Sequence, residues 1–317
     1  MNLLRVPIRR LRCSPYITYG CAPRHRLGPA RYGFFTASED GAPVTGPELP
    51  DLPEGRVPLR IDAVAVGGVC DDWLARALEP PSPFLLRDGV LALAAPIESF
   101  AGRSAALADW AARTHARRPV HGWRDERMVI RDPADGRPLA AIERALLRPL
   151  GLVLRSVQAC AYTLTAAGPL LWVARRAPGK PVDPNRLDAL VAGGISGFDD
   201  AASTLERECA EEAGIPASIA RRARPAGMLE LCYPSVDDGF STTHREHIAL
   251  HDLELPAHFV PVPADGEHAE IVAMTPTEAL ASIETGSWTR DGAQATADLI
   301  LRMGWMPGRA GRASRPG

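Results

Sequence analysis

The sequence predicts an α+β protein of two domains, a small N-terminal α+β unit and a larger C-terminal unit in which strands and helices mix. Three observations carry this. Leu59, Ile61, Ala63 and Ala65 alternate as in a strand, and "SAALADWAARTHAR" sets Leu107, Trp110 and Ala111 at helical spacing. "SVQACAYTLT" and "LLWVARRA" read as two strands joined by the turn-forming "AAGP". The strand-like "RLDALVAGGIS" ends in glycines just before "DAASTLERECAEEAG", a helix with Gly214 past its end.

Residues 1–55 read as a disordered tail, because "SEDGAPVTGPELPDLPEG" is rich in Pro, Gly and acids and lacks a hydrophobic period. Residues 56–152 form the N-terminal domain. It runs through a strand in "VPLRIDAVAVG", a short helix in "DDWLARAL", the helix around Trp110, a strand in "ERMVIRD", and an amphipathic helix in "PLAAIERALLRPLGL" ending at Gly151. Residues 153–307 form the second domain. After its glutamate-rich helix come strands in "AGMLELCY", "EHIALHDLEL" and "AEIVAMTP". A helix opening on Thr275, Thr277 and Glu278 follows, then a closing helix in "GAQATADLILRMGW". Residues 308–317 read as a frayed basic tail, and no internal repeat is visible.

At 317 residues, 46% hydrophobic and 23% charged, the chain has the length and composition of a globular protein with real cores. No apolar run approaches the ~20 residues that span a bilayer, so no membrane partner is expected. The net charge of −2 is unevenly placed. Arg5, Arg9, Arg10, Arg12, Arg24, Arg26 and Arg31 all precede the first acid, Glu39, so the remainder is acidic. An acidic body argues against nucleic acid as a partner. The arginine-rich start is read as a tail of a bacterial protein; a mitochondrial presequence is the alternative reading. The bacterial reading rests on Lys180 being the sole lysine among 36 basic residues, which with abundant Ala, Gly and Pro marks a GC-rich genome. Cys13, Cys21, Cys70, Cys160, Cys209 and Cys232 form no C-x-x-C pair, so a reducing cytoplasm is the default.

The chemistry concentrates between Gly193 and Ile215. Each helical residue turns about 100°, so Glu208, Glu211 and Glu212 share one face, Glu206 lies off it, and Arg207 can brace Glu211. Carboxylates so gathered repel one another unless solvated, protonated or neutralised by a hard divalent cation. A solvated acidic face is one reading of the helix alone. A Mg²⁺ site is the other, with Gly193 and Gly194 letting phosphates approach their amides.

The stretch G-x5-E-x7-R-E-U-x-E-E-x-G-U, with U bulky and apolar, is the Nudix box. Gly193, Arg207, Glu208, Glu211, Glu212, Gly214 and Ile215 match it, and Cys209 fills the first U position. Asp199 stands where the family has its first Glu; Asp199 or Asp200 can alternatively cap the helix. The resemblance extends through "GWRDERMVIRD", "IERALLRPLGL", "LWVARRAPGK" and "HDLELPAHFVPVPADGEHAEI" to a Nudix subfamily with an extra N-terminal domain, often labelled thiamine-pyrophosphokinase-related. It implies a Nudix α/β/α sandwich with a mixed sheet. It also implies Mg²⁺-dependent (or Mn²⁺-dependent) hydrolysis of a small-molecule diphosphate, thiamine diphosphate or its oxidised forms above all. Glu208, Glu211 and Glu212 would hold the metal, Arg207 would orient Glu211, and Glu267 of the "DGE" loop would be the base. Another Nudix substrate such as ADP-ribose, or a diphosphate-binding module without catalysis, is the alternative.

Outside the helix, Lys180 and Arg176 are candidate phosphate contacts, each weighed against an ordinary surface charge. Asp265–Gly266 reads as a turn. Trp123 and Trp172 are assigned to core packing ahead of ring stacking. His244, His247 and His251 lie on a strand and are not expected to form a metal cluster. The oligomeric state is not expressed in the sequence.

Overall fold

The computed structural model describes residues 52–94, 97–180 and 182–306. The expected tails lie outside these residues, apart from 52–55. Strands β1 (Val57–Ile61) and β2 (Val64–Val69) pair antiparallel. The single strand expected through "VPLRIDAVAVG" is thus a hairpin, because Asp62 takes a left-handed φ of 55° and reverses the chain. Helix α1 (Asp71–Leu78) leads to a second hairpin, β3 (Phe84–Arg87) and β4 (Val90–Leu93). Its turn is Asp88–Gly89, both at positive φ, the Asp-Gly chemistry that two-residue hairpins require. The four strands order as β2-β1-β4-β3.

Helix α2 (Phe100–Arg117) buries Leu107, Trp110 and Ala111, the face expected from their spacing. Strands β5 (Arg127–Arg131) and β6 (Pro138–Glu143) form a further hairpin. Here the sequence reading is corrected: "PLAAIERALLRPLGL" is not one helix but β6 followed by a single 3-10 turn at Arg144–Leu146. Leu139, Ala140, Ala141 and Ile142 are all buried in an unbroken run. A strand covered on both sides suits such a run, whereas a surface helix would expose part of it. These elements share one apolar core centred on Trp110, Leu91, Leu139 and Leu146.

The rest of the chain builds a seven-stranded sheet. Strands β7 (Leu154–Thr165) and β8 (Gly168–Arg176) pair antiparallel over Ala161–Thr165 only, then part. The glycine strand divides between them. β9 (Leu187–Ala189) pairs with β8, and β10 (Val191–Gly194) pairs with β7. After α3 (Ala201–Ala213) and α4 (Ala217–Ala220), β11 (Arg224–Asp237) and β12 (Phe240–Glu254) form a long hairpin. β12 lies parallel to β7, which makes the sheet mixed. β13 (His268–Met274) closes the other side on β8, giving the order β11-β12-β7-β8-β13. Helices α5 (Pro276–Glu284) and α6 (Arg290–Arg302) follow.

Period-two alternation sorts β7 between two cores. Val157, Ala159 and Ala161 pack with Leu205, Cys209 and Ala213 of α3. Cys160 and Tyr162 pack with Ala295, Leu299 and Ile300 of α6 and Ala279 of α5. The result is an α/β/α sandwich with a mixed sheet, preceded by an α+β unit.

Candidate metal and diphosphate site

Helix α3 is fixed at both ends and in rotation. Asp200 caps it, accepting from the Ser203 amide at 2.8 Å in a reciprocal capping box. Asp199 lies one residue outside, its amide donating to the Ser196 carbonyl at 3.0 Å. Asp200→Ala is therefore expected to lower the midpoint of chemical denaturation without changing metal affinity. Gly214 ends the helix at φ 61°. Buried Leu205, Cys209 and Ala213 set its rotation and aim Glu208 and Glu212 at β10. Glu206 turns away into a two-bond pair with Arg221, both at 2.8 Å.

The two glycines have distinct steric roles. A Cβ on Gly193 would lie 2.2 Å from Glu208 Oε1 and 2.3 Å from its Cγ, so only glycine lets Glu208 lie against the strand. A Cβ on Gly194 would lie 3.3 Å from both terminal nitrogens of the Arg144 guanidinium. Glu212 is buried, and its Oε2 accepts the Ala192 amide at 2.9 Å. Arg207 reaches Glu208 Oε1 at 2.8 Å and Glu211 Oε2 at 2.9 Å, bracing two glutamates rather than Glu211 alone.

The loop before β13 gathers two carboxylates around Glu212, while Glu208 and Glu211 of the expected metal set lie outside that group. Glu212, Asp265 and Glu267 present carboxylate oxygens within 4.8 Å of one another. Asp265 does form the expected turn, accepting the Glu267 amide at 2.8 Å with Gly266 at φ 80°. That turn also delivers both carboxylates to Glu212. Lys180 ion-pairs with Glu267. Arg176 instead directs its guanidinium to Asp188 Oδ2 at 3.2 Å and the Val182 carbonyl at 3.0 Å.

Electrostatics mark the cluster as short of positive charge. Burial pushes the Glu208 carboxyl above its ordinary value against the pull of Arg207, and Glu211 and Glu267 add to the rise. Burial raises Glu212 well above the usual range despite the Ala192 amide, with Glu208, Glu267 and Asp265 contributing. Burial also acts to raise Glu267, but Lys180, Arg124 and His268 outweigh it and hold its carboxyl low. Oxygen donors held close and partly dehydrated are the set a hard divalent cation takes. The space Gly193 leaves for Glu208 supports the same fit.

Sequence reasoning missed Asp265, Arg124 and Arg144. Asp265 was assigned to its turn, and nothing local to either arginine signals that the N-terminal unit reaches β10. The tryptophans pack as expected: Trp123 against the first core and Trp172 against the α3-side core, its Nε1 donating to Thr163 at 2.9 Å. Among the described residues, His244, His247 and His251 form no metal cluster.

The NUDIX domain family matches residues 154–294. Nudix hydrolase 20, chloroplastic, of Arabidopsis thaliana is 29% identical over 221 residues, covering 69% of this chain and 58% of that protein. Nudix hydrolase 24, chloroplastic, of the same plant is 33% identical over 148 residues, covering 47% of this chain and 40% of that protein. The chain spans about half the length of these relatives. A solved structure from Deinococcus radiodurans aligns with 21% identity and a TM-score of 0.40, covering 54% of this chain and 98% of that one. No helix among the described residues is long and apolar enough to cross a membrane. The family match spans the glutamate helix α3 and the glycine strand β10, so residues 154–294 form a NUDIX domain.

Proposed function

We propose that the chain is a Mg²⁺-dependent diphosphohydrolase whose substrate is thiamine diphosphate or an oxidised derivative, cleaved to the monophosphate and phosphate. The observation that carries the reaction class is Glu208 seated in the space left by Gly193, beside the buried Glu212 and the Asp265–Glu267 turn. Glu208, Glu211 and Glu212 would hold the ion. When bound, it neutralises diphosphate oxygens and stabilises the leaving oxygen. Arg207 keeps Glu208 and Glu211 from swinging apart, and the Ala192 amide holds Glu212. The substrate phosphates lie along β10 at Gly193 and Gly194. Glu267, kept ionised by Lys180, accepts the proton of the attacking water as the phosphoric anhydride bond breaks. The thiamine assignment rests on the subfamily resemblance. The alignment with the first plant relative, over 221 residues, reaches beyond the 154–294 match and so includes part of the N-terminal unit, without bearing on the substrate.

Phosphate release with Mg²⁺ over thiamine diphosphate, its oxidised forms, ADP-ribose and nucleoside diphosphates tests this. The highest kcat/KM is expected on a thiamine derivative. A preference for ADP-ribose would overturn the substrate, and no turnover at all would overturn the enzyme reading in favour of a binding module. Unchanged turnover in Glu211→Gln would remove Glu211 from the metal ligands. The same reading places the protein in a bacterial cytoplasm; Cys70, Cys160 and Cys209 form no disulfide. Recovery of native protein with a cleaved presequence would overturn that.

A further inference from the structure

We propose that Arg144 of the N-terminal unit is a substrate-phosphate clamp, acting across β10 from the metal-ligating carboxylates. This rests on the diphosphohydrolase reading. Successive residues of a strand face opposite sides of its sheet. The missing side chain of Gly193 admits Glu208 on one face, and that of Gly194 admits the Arg144 guanidinium on the other. A carboxylate and a guanidinium therefore straddle the same two residues of β10. A diphosphate lying along that edge has oxygens to offer to a metal on one side and to a guanidinium on the other. Arg suits the second role because its planar fork matches phosphate oxygens in pairs.

Arg144 is held for this task. Its Nη1 lies 2.9 Å from Glu126 Oε2, and its amide donates to the Glu126 carbonyl at 2.8 Å. Its head is not buried: the Arg144 and Glu126 side chains are 28% and 25% exposed. The segment beneath is pinned by Glu143, itself buried, whose Oε1 accepts the Arg124 amide at 3.0 Å and the Ala145 amide at 3.3 Å. One carboxylate thus sets the spacing between the two arginine-bearing segments. Arg124 in turn acts on the Glu267 carboxyl. The Gly197 amide donates to the Arg127 carbonyl at 3.0 Å, tying the same hairpin to the loop before α3. The N-terminal unit is accordingly part of the site, and its cations answer the excess carboxylates of the NUDIX domain.

The test is a KM-against-kcat split on the diphosphate that the wild type turns over best. Inorganic pyrophosphate serves as a competitive inhibitor that carries no ring. Arg144→Ala is expected to raise KM and the pyrophosphate inhibition constant together by roughly 10- to 100-fold, as loss of a charge-assisted contact does. Affinity for Mn²⁺ alone, read by electron paramagnetic resonance, is expected to stay within about 3-fold, since Arg144 ligates no metal. Arg144→Lys is expected to recover only part of the loss, because an ammonium cannot bind in a paired fork. A folded Arg144→Ala with both constants near wild type overturns the clamp. If Arg144→Ala does not fold, Arg144→Lys decides: wild-type inhibition by pyrophosphate overturns the clamp, and clear weakening supports it. A wild type that turns over no diphosphate defeats the enzyme reading alone. Mg²⁺-pyrophosphate binding to wild type and Arg144→Lys, measured by calorimetry, then still tests the clamp.

Discussion

Gly193→Ala is expected to remove hydrolysis as completely as Glu208→Gln, a loss on the order of 10²–10³-fold in kcat/KM. The added methyl would stand 2.2 Å from Glu208 Oε1 and 2.3 Å from Cγ, far inside contact distance. Three atoms of one side chain are in the way, so a small rotation does not relieve the clash. Glu208 must leave the strand, and it then loses its 2.8 Å pair with Arg207. The strand itself gains from the change, because Gly weakens a strand interior. Activity is therefore expected to fall while the thermal midpoint holds. Kinetics with Mg²⁺, titration with Mn²⁺ and a melting curve on both variants check this. Gly193→Ala with near-wild-type activity would show that Glu208 works elsewhere than in the space beside β10. Glu208→Gln with near-wild-type metal affinity would remove Glu208 from the ligands.

Asp188→Ala is expected to cost several kcal/mol of stability, because it strands buried donors at about 1–3 kcal/mol each. Asp188 is 3% exposed. Its Oδ1 accepts the Thr289 hydroxyl at 2.9 Å, the Ala189 amide at 2.9 Å and Gln158 Nε2 at 3.3 Å, and its Oδ2 pairs with Arg176 at 3.2 Å. One carboxylate thus joins β7, β8, β9 and the N-terminus of α6. Alanine leaves all these donors behind in a buried setting. Asp188→Asn keeps the oxygen and tests the charge alone. Burial pushes the Asp188 carboxyl up to about 7 from 3.8, and Asp291 adds to the rise, while Arg176 opposes it. A raised carboxyl binds its proton more tightly when folded, so the proton's contribution is complete below pH about 4. It is lost as pH rises through about 7. Wild type is therefore expected to lose stability relative to Asp188→Asn across that interval. Urea melts of both at several pH values check it, and a constant difference would refute the raised carboxyl.

Much of the candidate site was legible because it is local. Helical period alone put Glu208, Glu211 and Glu212 on one face, and Gly214 marked the helix end through its left-handed φ of 61°. Two isolated signals also met: Lys180, the sole lysine, and Glu267, 87 residues on, form an ion pair. Other parts were not legible because their meaning is relational. The alanine-rich stretch after Pro138 has good helix formers, yet pairing with β5 and cover from α2 make it β6. Between Asp199 and Asp200 the sequence could not choose a cap, since both are competent; the geometry of the preceding loop selects Asp200.

The sequence by itself determined the glutamate-rich helix, its face of glutamates, its end at Gly214 and the glycine pair before it, because helix period and turn chemistry act over a few residues. Only the tertiary structure decided what the glycines are for and where the N-terminal unit points. Gly193 is shaped by Glu208 and Gly194 by Arg144, residues brought to β10 from opposite faces of the sheet. A missing side chain gives no indication in the sequence of which neighbour needs its space.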